Sequence, residues 1–312
     1  MLSLGMANEF EIVRSDRISH FKVFINELEY RTSHMHSEFE IIYVVRNPLI
    51  VRFPGDEYVI NDRDAFIINP NQVHMLEKEK DASTFICIQF SHTLFKDIYP
   101  TLMNMRFKMS NIIEPETERT LLKLARSYQD LDGSMNLEIF SLLSHLVYLI
   151  INNTPYTLLS AKEKEEEINN IQRISRLLSF IDSGYTHKIN LSDFARDEGL
   201  TLSYLSHFAK KVLSEPFQDY VNFLRFNYAK KLIATGNMNL AEAAYESGFS
   251  DPRYLSRAFI KYTGMNQKEW KELNKRDESV EHDMRTHISA HSLERMFSRR
   301  KSIEMLDTLL RM

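Results

Sequence analysis

Four side chains in the first quarter of the chain have the types that bind metal ions or polar small molecules. His34, His36 and Glu40 follow the spacing His-x-His-x3-Glu, and His74 follows a turn that begins at Asn69. Alternate side chains of a β-strand point to one face, so residues 34, 36 and 40 would share a face. A second strand that brings His74 alongside would complete three histidines and one carboxylate. This ligand set suits Fe, Mn, Ni or Zn.

Three interpretations of this cluster are open. Imidazole and carboxylate groups donate and accept hydrogen bonds, so the cluster could line a pocket for a polar small molecule such as a sugar. The same residues could instead form a structural polar cluster or hold a bound metal ion. We favour the first interpretation and assign neither a metal nor a cofactor to the chain. The predicted effector-binding residues are therefore His34, His36, Glu40 and His74.

A second set of candidate residues lies in an internal repeat. The segment that begins at Leu191 aligns with the segment that begins at Leu240 at an offset of 49, and Gly199 aligns with Gly248 at the same offset. A later stretch, including Tyr204 and Tyr254, aligns at an offset of 50. Each copy reads as a short helix, a turn with glycine and a second helix. This is the plan of a helix-turn-helix unit.

The second helix of each copy has one apolar face and one face of hydroxyl and basic residues. At about 100° per residue, the polar side chains gather opposite the apolar ones. Arginine pairs with guanine, serine contacts bases or phosphate, and lysine neutralises phosphate. An ordinary amphipathic helix with a solvated face is the alternative, but two copies in register favour DNA. The predicted DNA-binding residues are Ser203, Ser206, His207 and Lys210 in the first copy and Arg253, Ser256 and Arg257 in the second.

A long helix is predicted between the two copies, from near Pro216 to Ile233, because its apolar residues form one stripe. A rigid connection of this kind would fix the distance between the second helices of the two copies, which we call the reading helices. Successive major-groove faces lie about 34 Å apart, so a rigid pair must match that spacing or bend the DNA.

Short strands are predicted to position the first cluster. They are separated by turn signals and followed, from Glu114, by apolar residues at helical spacing. This pattern predicts a small antiparallel barrel or sandwich, with two helices that cover it or pair with a second subunit. The candidate strands are Ile41–Val45, Leu49–Phe53, Tyr58–Ile60, Ala65–Ile68 and Phe85–Phe90.

Charge and composition divide the chain in the same way. The 312 residues are enough for two domains, with a net charge of −8 over residues 1–167 and +5 over residues 168–276. Only the rear half is therefore expected to approach a polyanion. The single cysteine, Cys87, excludes an intrachain disulfide framework. The longest apolar stretch is too short for a membrane helix and no signal peptide is evident, so we expect a cytoplasmic protein with no membrane partner.

The rear half resembles a known family over roughly residues 170–275. The stretch from Phe217 through Gly248-Phe249-Ser250-Asp251-Pro252-Arg253-Tyr254-Leu255 to Gly264 is similar to the AraC/XylS family of bacterial transcription regulators. In that family two helix-turn-helix units on one chain read adjacent major-groove segments of a promoter, and most members activate transcription. Asn266-Gln267, in place of Ser-Pro, and Ala209, in place of Phe, depart from the family pattern. The resemblance implies promoter DNA and, for an activator, RNA polymerase as partners.

The front half resembles the cupin barrel signature over roughly residues 20–90. The second motif lacks the usual glycine between Pro70 and His74 and is one residue short. That departure resembles the sensor domains of AraC-type regulators, in which the barrel usually binds a small effector and often no metal. Many relatives with this layout respond to carbohydrates, so the resemblance implies a sugar as effector.

We therefore predict an α+β protein of two domains, a cupin-like β-barrel with helices followed by an all-α double helix-turn-helix domain. The predicted function is that of a homodimeric activator that responds to a small molecule and is not an enzyme. Two alternatives are a metal-dependent barrel enzyme tethered by the rear half, and a constitutive DNA binder with a vestigial pocket. The predicted segments are an effector-binding barrel (1–112), a helical cover or dimerisation segment (113–160), a linker (161–170), the DNA-binding domain (171–276) and a helical extension of unknown role (277–312). The charged run over residues 162–167 of the linker could instead be the exposed start of a helix.

Overall fold

The computed structural model describes residues 21–108, 112, 114–130, 136–213, 215–234, 238–277, 284–288 and 292–312. Residues 1–20 of the predicted barrel thus lie outside the described residues. The strands are β1 (Phe21–His34), β2 (Phe39–Arg46), β3 (Leu49–Phe53), β4 (Asp56–Ile60), β5 (Ala65–Ile68), β6 (His74–Lys78), β7 (Ser83–Phe90), β8 (Met105–Phe107), β9 (Tyr156–Leu158), β10 (Met284–Ile288) and β11 (Ser292–Phe297). Short 3₁₀ helices span His92–Phe95 and Pro100–Asn104.

The front half is a nearly closed antiparallel β-barrel, as predicted. Its strands pair in the order β4-β3-β6-β1-β7-β2-β5, and β11 adds to β1. All five predicted strands are present. Alternation along β2 separates two apolar clusters: Ile41 and Tyr43 pack toward the helices that follow, whereas Ile42 and Val44 pack on the other face of the sheet. Glu40 has the parity of this second set.

Two helices cover one face of the barrel. They are α1 (Pro115–Asp130) and α2 (Leu137–Asn153). Leu121, Leu124, Leu143 and Val147 share one apolar cluster with barrel residues such as Ile41. Their apolar faces are therefore buried within one chain, which is the first of the two roles predicted for this segment.

The rear half consists of helices, as predicted. Their bounds are α3 (Ala161–Gly184), α4 (Leu191–Asp197), α5 (Leu202–Leu213), α6 (Phe217–Ala234), α7 (Leu240–Glu246), α8 (Pro252–Thr263) and α9 (Gln267–Asp277). Helices α4 and α5 form the first helix-turn-helix unit, and α7 and α8 form the second. Gly199 and Gly248 lie in the two turns with φ of +65° and +88°, a conformation that favours glycine.

Helix α6 joins the two units by packing against both. Tyr220, Val221 and Leu224 belong to the apolar core of the first unit, which also includes Leu205 of α5. Further along the helix, Phe226 and residues of α7 and α8 form the core of the second unit. A single continuous helix with two buried faces gives the rigid connection that the apolar stripe predicts.

Residues 161–170 form the exposed start of a helix, which is the second of the two forms predicted for this run, and not a separate linker. These residues are the first turns of α3, which begins with a capping box: Ser160 accepts a hydrogen bond from Glu163 N, and the Glu163 side chain accepts one from Ser160 N. The Ser-x-x-Glu spacing is a sequence signature of the start of a helix. Arg106 of β8 donates from Nη2 to both carboxylate oxygens of Glu167, at 2.6 and 2.8 Å, and ties α3 to the small sheet of β8 and β9.

The prediction of a purely helical extension beyond residue 277 is also wrong. This segment forms strands β10 and β11 and then helix α10 (Arg299–Leu309). Strand β11 pairs with β1, with Asn26 opposite Met296 and Arg31 opposite Ser292. The buried residues of β11 are polar: Glu294 accepts a hydrogen bond from Asn26 Nδ2 over 2.6 Å. The buried positions of β11 are polar, so its apolar residues do not alternate as a strand would predict. Leu293, Met296 and Phe297 therefore suggested a helix that does not form.

The front and rear halves share apolar contacts. Met35 and Val73, from the loops beside β1 and β6, belong to the core cluster of the first helix-turn-helix unit. The Tyr30 and Phe223 rings lie 5.5 Å apart, and Lys230 Nζ lies 5.2 Å from the centre of the Tyr30 ring. The barrel thus packs directly on α6 and the first unit. Among the described residues, no helix combines the length and apolar character that crossing a bilayer requires.

Candidate ligand site and candidate DNA interface

The predicted cluster of His34, His36, Glu40 and His74 forms inside the front half. All four residues are buried, and one ligand atom from each lies within 4.8 Å of the others. The expectation that residues 34, 36 and 40 share one strand is wrong. His34 ends β1, His36 lies in the connecting loop and Glu40 lies on β2, so the reversal of the chain brings them together. His74 is the register partner of His34, as the second strand was predicted to provide.

Backbone hydrogen bonds orient the three imidazoles. The Nδ1 atoms of His34, His36 and His74 lie 2.9, 3.0 and 2.9 Å from the carbonyl oxygens of Thr32, Glu38 and Gln72. A carbonyl oxygen only accepts, so each Nδ1 must carry the proton. Each Nε2 is then left to face the centre of the cluster.

Two of these inward nitrogens are without a hydrogen bond. Within the residues that the structure describes, Nε2 of His34 and Nε2 of His74 have no hydrogen-bond partner, although His74 Nε2 lies 3.4 Å from Glu40 Oε2. A buried polar group left unpaired costs about 1–3 kcal/mol. A purely structural polar cluster would be expected to pair both atoms.

The carboxylate of Glu40 is held from two sides. Its Oε2 atom pairs with His36 Nε2. Its Oε1 atom accepts a hydrogen bond from Cys87 Sγ over 3.0 Å, and Gln89 Nε2 lies 3.4 Å from Oε2. Sequence reasoning missed Cys87 and Gln89. Both lie on β7, a mostly apolar segment whose sequence predicts a core strand and gives no sign of a polar site.

The pKa values in the cluster follow from burial and from the His36–Glu40 pair. Burial, with His74 nearby, holds the pKa of His34 well below its usual range, so His34 is neutral. Burial opposes the charge of His36 and of Glu40 as well, but their mutual attraction outweighs it. The pKa of His36 is therefore raised and that of Glu40 is lowered well below its usual range.

The predicted DNA-binding residues all lie on exposed faces of α5 and α8. Each of the seven is exposed, whereas the opposite faces of the same helices are buried in the two unit cores. Arg253 makes an ion pair with Asp251, the N-cap of α8, over 2.7 Å. The residues that the angular argument places outward are Ser203, Ser206, His207, Lys210, Arg253, Ser256 and Arg257.

A hollow of about 380 Å³ lies beside the second reading helix. Arg257 and Lys261 of α8 line it together with Arg225 of α6. Sequence reasoning missed Arg225, because it lies on α6, and the exposed Tyr254, because it is an aromatic residue of α8. Arg225 donates to the carbonyl oxygens of Tyr185 and His187, so Arg257 and Lys261 are the groups of this hollow that suit contact with a phosphate backbone.

Comparison with known proteins gives a matching domain family for each half of the chain. Residues 26–146 match the AraC-like ligand binding domain, and residues 194–272 match a helix-turn-helix domain. The chain is 20% identical to the HTH-type transcriptional regulator YdeC of Bacillus subtilis, over 78% of this chain and 87% of YdeC. It is 23% identical to YbfI of the same organism, over 80% of this chain and 91% of YbfI.

The solved structure of ToxT from Vibrio cholerae O395 is similar to this chain. It is 15% identical, with a TM-score of 0.41, and the match covers 81% of this chain and 98% of ToxT. The matched domains and the names of the relatives indicate a transcriptional regulator and not an enzyme, in agreement with the prediction. The chain belongs to the AraC family of helix-turn-helix transcriptional regulators, with an AraC-like ligand-binding domain in its front half.

Proposed function

We propose that this regulator acts as a homodimeric activator that binds promoter DNA through the outward faces of α5 and α8 and responds to a small effector in the barrel. The observation that carries the DNA part is the exposure of the seven predicted residues on two helices joined by α6. Because α6 packs into both units, the two reading helices would enter neighbouring major-groove segments of one duplex.

Footprinting of full-length protein on its own promoter region tests this proposal. We expect two protected segments about one helical turn, or roughly 10 base pairs, apart. Protection of a single segment, or no retention of promoter fragments at low salt, would contradict it. A regulator of this kind acts where the chromosome lies, so we place it in the cytoplasm, with RNA polymerase as partner of the activator.

The effector is proposed to bind in the barrel at His34, His36, Glu40 and His74. Carbohydrates are the ligand class that the family resemblance implies, and their hydroxyls match the donors and acceptors of the cluster. A thermal-shift panel of neutral sugars on full-length protein tests this assignment. A raised melting temperature with one sugar, together with changed promoter affinity, supports it, whereas an unresponsive panel counts against sugars.

The dimer is proposed to form through the front half, at the segment over residues 113–160. Leu137 and Tyr148 lie on the outer side of α2 and are exposed, while its inner side covers the barrel. Light scattering during size exclusion should give twice the chain mass, and Tyr148→Glu should shift it toward a monomer. A mass that does not change with this substitution would argue against this face.

A further inference from the structure

Helix α6 has one polar face in addition to the faces that it buries. It packs into the cores of both helix-turn-helix units. At about 100° per residue, Gln218, Asn222 and Arg225 fall within about 60° of one another around the helix. Phe223 and Lys230, which contact the barrel, are centred about 130° away from them. The polar face of α6 is therefore not the face that the barrel covers.

This polar face forms one wall of the hollow beside the second reading helix. Gln218 and Asn222 lie on the α6 side, and Tyr254, Arg257 and Lys261 lie on the α8 side. All residues that line the hollow belong to the rear half. Arg257 also belongs to the outward face of α8 that is proposed to read bases, so the hollow continues that face toward α6.

The position of α6 determines what part of a duplex the hollow would meet. Because α6 joins the two units, a duplex that contacts α5 and α8 together must pass over its polar face. Two successive major-groove segments are separated there by the sugar-phosphate backbone on either side of the minor groove. The polar face of α6 is thus placed to meet phosphates and not base edges.

The two amides of this face have hydrogen-bond donors to spare. Gln218 is exposed and Asn222 is half-buried, and Gln218 Nε2 donates to Asn222 Oδ1 over 3.2 Å. Within the part of the chain that the structure describes, neither side chain makes another hydrogen bond, so one Nε2 hydrogen and both Nδ2 hydrogens remain available. Asparagine and glutamine amides are among the groups that contact phosphates in DNA complexes.

We propose that Gln218 and Asn222 bind phosphates of the DNA backbone between the two major-groove segments, which makes α6 a third DNA-contacting element. This inference rests on the proposed function. The ion pair of Asp219 with Lys261, over 3.7 Å, offsets the repulsion between that carboxylate of α6 and a phosphate. Phosphate contacts fix register and orientation, so α6 holds the duplex where it passes from one reading helix to the other.

Alanine variants of full-length protein test the contact. Gln218→Ala and Asn222→Ala should each weaken binding to promoter and to unrelated DNA by at least about fivefold. The slope of log affinity against log salt should stay at its wild-type value, because an uncharged donor releases no condensed counterion. Fluorescence anisotropy over a salt series measures both quantities. Asn61→Ala, at an exposed amide in the turn after β4, is the control and should change neither.

A charged variant tests how close Gln218 lies to the backbone. Gln218→Glu keeps the size of the side chain but places a carboxylate beside the phosphates. It should weaken binding more than Gln218→Ala does, and the additional loss should shrink as salt rises, since salt screens repulsion between like charges. Equal affinities of the two variants at every salt concentration would contradict the proposal.

Modified DNA locates the phosphate partners. Phosphates between the two protected segments are replaced one at a time by uncharged methylphosphonates. At the contacted phosphates, wild-type protein should lose at least about fivefold in affinity, and Gln218→Ala or Asn222→Ala should lose much less, because the partner is already missing. Losses of equal size in wild type and in both variants at every position overturn the assignment.

Failure of this inference and failure of the proposed function give different results. Unchanged affinity in variants with a wild-type thermal transition, together with two protected segments in the wild-type footprint, overturns the α6 contact and leaves the proposed function standing. A loss confined to the promoter, with altered base preference, overturns the phosphate assignment. Absence of DNA binding by wild-type protein overturns the proposed function itself and this inference with it.

Discussion

At the scale of single residues, helical geometry alone predicts which side chains of α5 and α8 point outward. The apolar face of α8 includes Leu255 and Phe259, and their burial forces Arg253 and Arg257 outward. The histidine cluster was predictable in residue types but not in its strand positions or in the direction of its ring nitrogens. These depend on carbonyl oxygens of the folded backbone, such as that of Thr32, which leave no trace in the sequence.

Arg257→Ala tests base reading by the second unit. A guanidinium that contacts a base edge contributes about 1–3 kcal/mol, so promoter affinity should fall by that amount and base preference should relax at one position. Arg119→Ala, at an exposed arginine on α1, is the matched control and should change neither. Quantitative binding to a promoter library measures both quantities. An unaltered base preference would argue against the assigned face.

Lys210→Ala tests phosphate contact by the first unit. Removal of one phosphate contact should weaken binding to all sequences alike and reduce the slope of log affinity against log salt by about 1. The measurement is a salt titration of binding to promoter and to unrelated DNA. A loss confined to the promoter would show that Lys210 reads a base.

At the scale of elements, the double helix-turn-helix unit was predictable because each element has a local signal. The two turn glycines, the stripe of α6 and the repeat were all visible in the sequence. The two glycines are nevertheless not equivalent in the fold. A Cβ on Gly248 would lie 2.5 Å from Thr186 O, whereas nothing lies within 4 Å of a Cβ on Gly199. A close approach between segments so distant along the chain has no local signature.

Gly248→Ala and Gly199→Ala form a matched pair. Both place alanine at positive φ, which costs about 1–2 kcal/mol. Gly248→Ala adds a collision with the backbone that follows α3, so we expect a total loss of about 3 kcal/mol or more. Chemical denaturation of both variants measures the difference in free energy of unfolding. Equal losses would show that the loop at Thr186 yields without cost.

At the scale of the whole molecule, the interface between the halves was not predictable from sequence. It depends on single side chains, Tyr30, Met35 and Val73, that read as ordinary strand and loop residues. Lys230 is also buried there, against the rings of Tyr30, Phe226 and Trp270. Its position on a helix of mixed polarity gave no indication of burial.

Lys230 makes stability depend on pH in a defined direction. Burial lowers the pKa of Lys230 from 10.5 to about 8, with Glu29 opposing the shift and Lys78 adding to it. Between about pH 8 and 10.5 the unfolded chain holds this proton more tightly, so the free-energy cost of burying Lys230 falls as pH rises. Fully charged, the buried amine costs at most about 3 kcal/mol.

Lys230→Met removes this charge at similar volume. At pH 7 the variant should be more stable than wild type, and the advantage should shrink as pH approaches 10. Thermal unfolding of both proteins across this range measures it, with Lys231→Met at the neighbouring half-buried position as control. Parallel stability curves for wild type and Lys230→Met would contradict the burial of an ionised amine.

The pairing of β11 with β1 has a consequence for how the protein is made. The ribosome synthesises α3 to α9 before Ser292–Phe297. Both helix-turn-helix units are therefore complete while the barrel still lacks strand β11. A nascent chain that pauses in this interval could bind DNA before its ligand-binding barrel is complete. The speed of synthesis between Asp277 and Phe297 would then help to decide how much unresponsive regulator a cell contains.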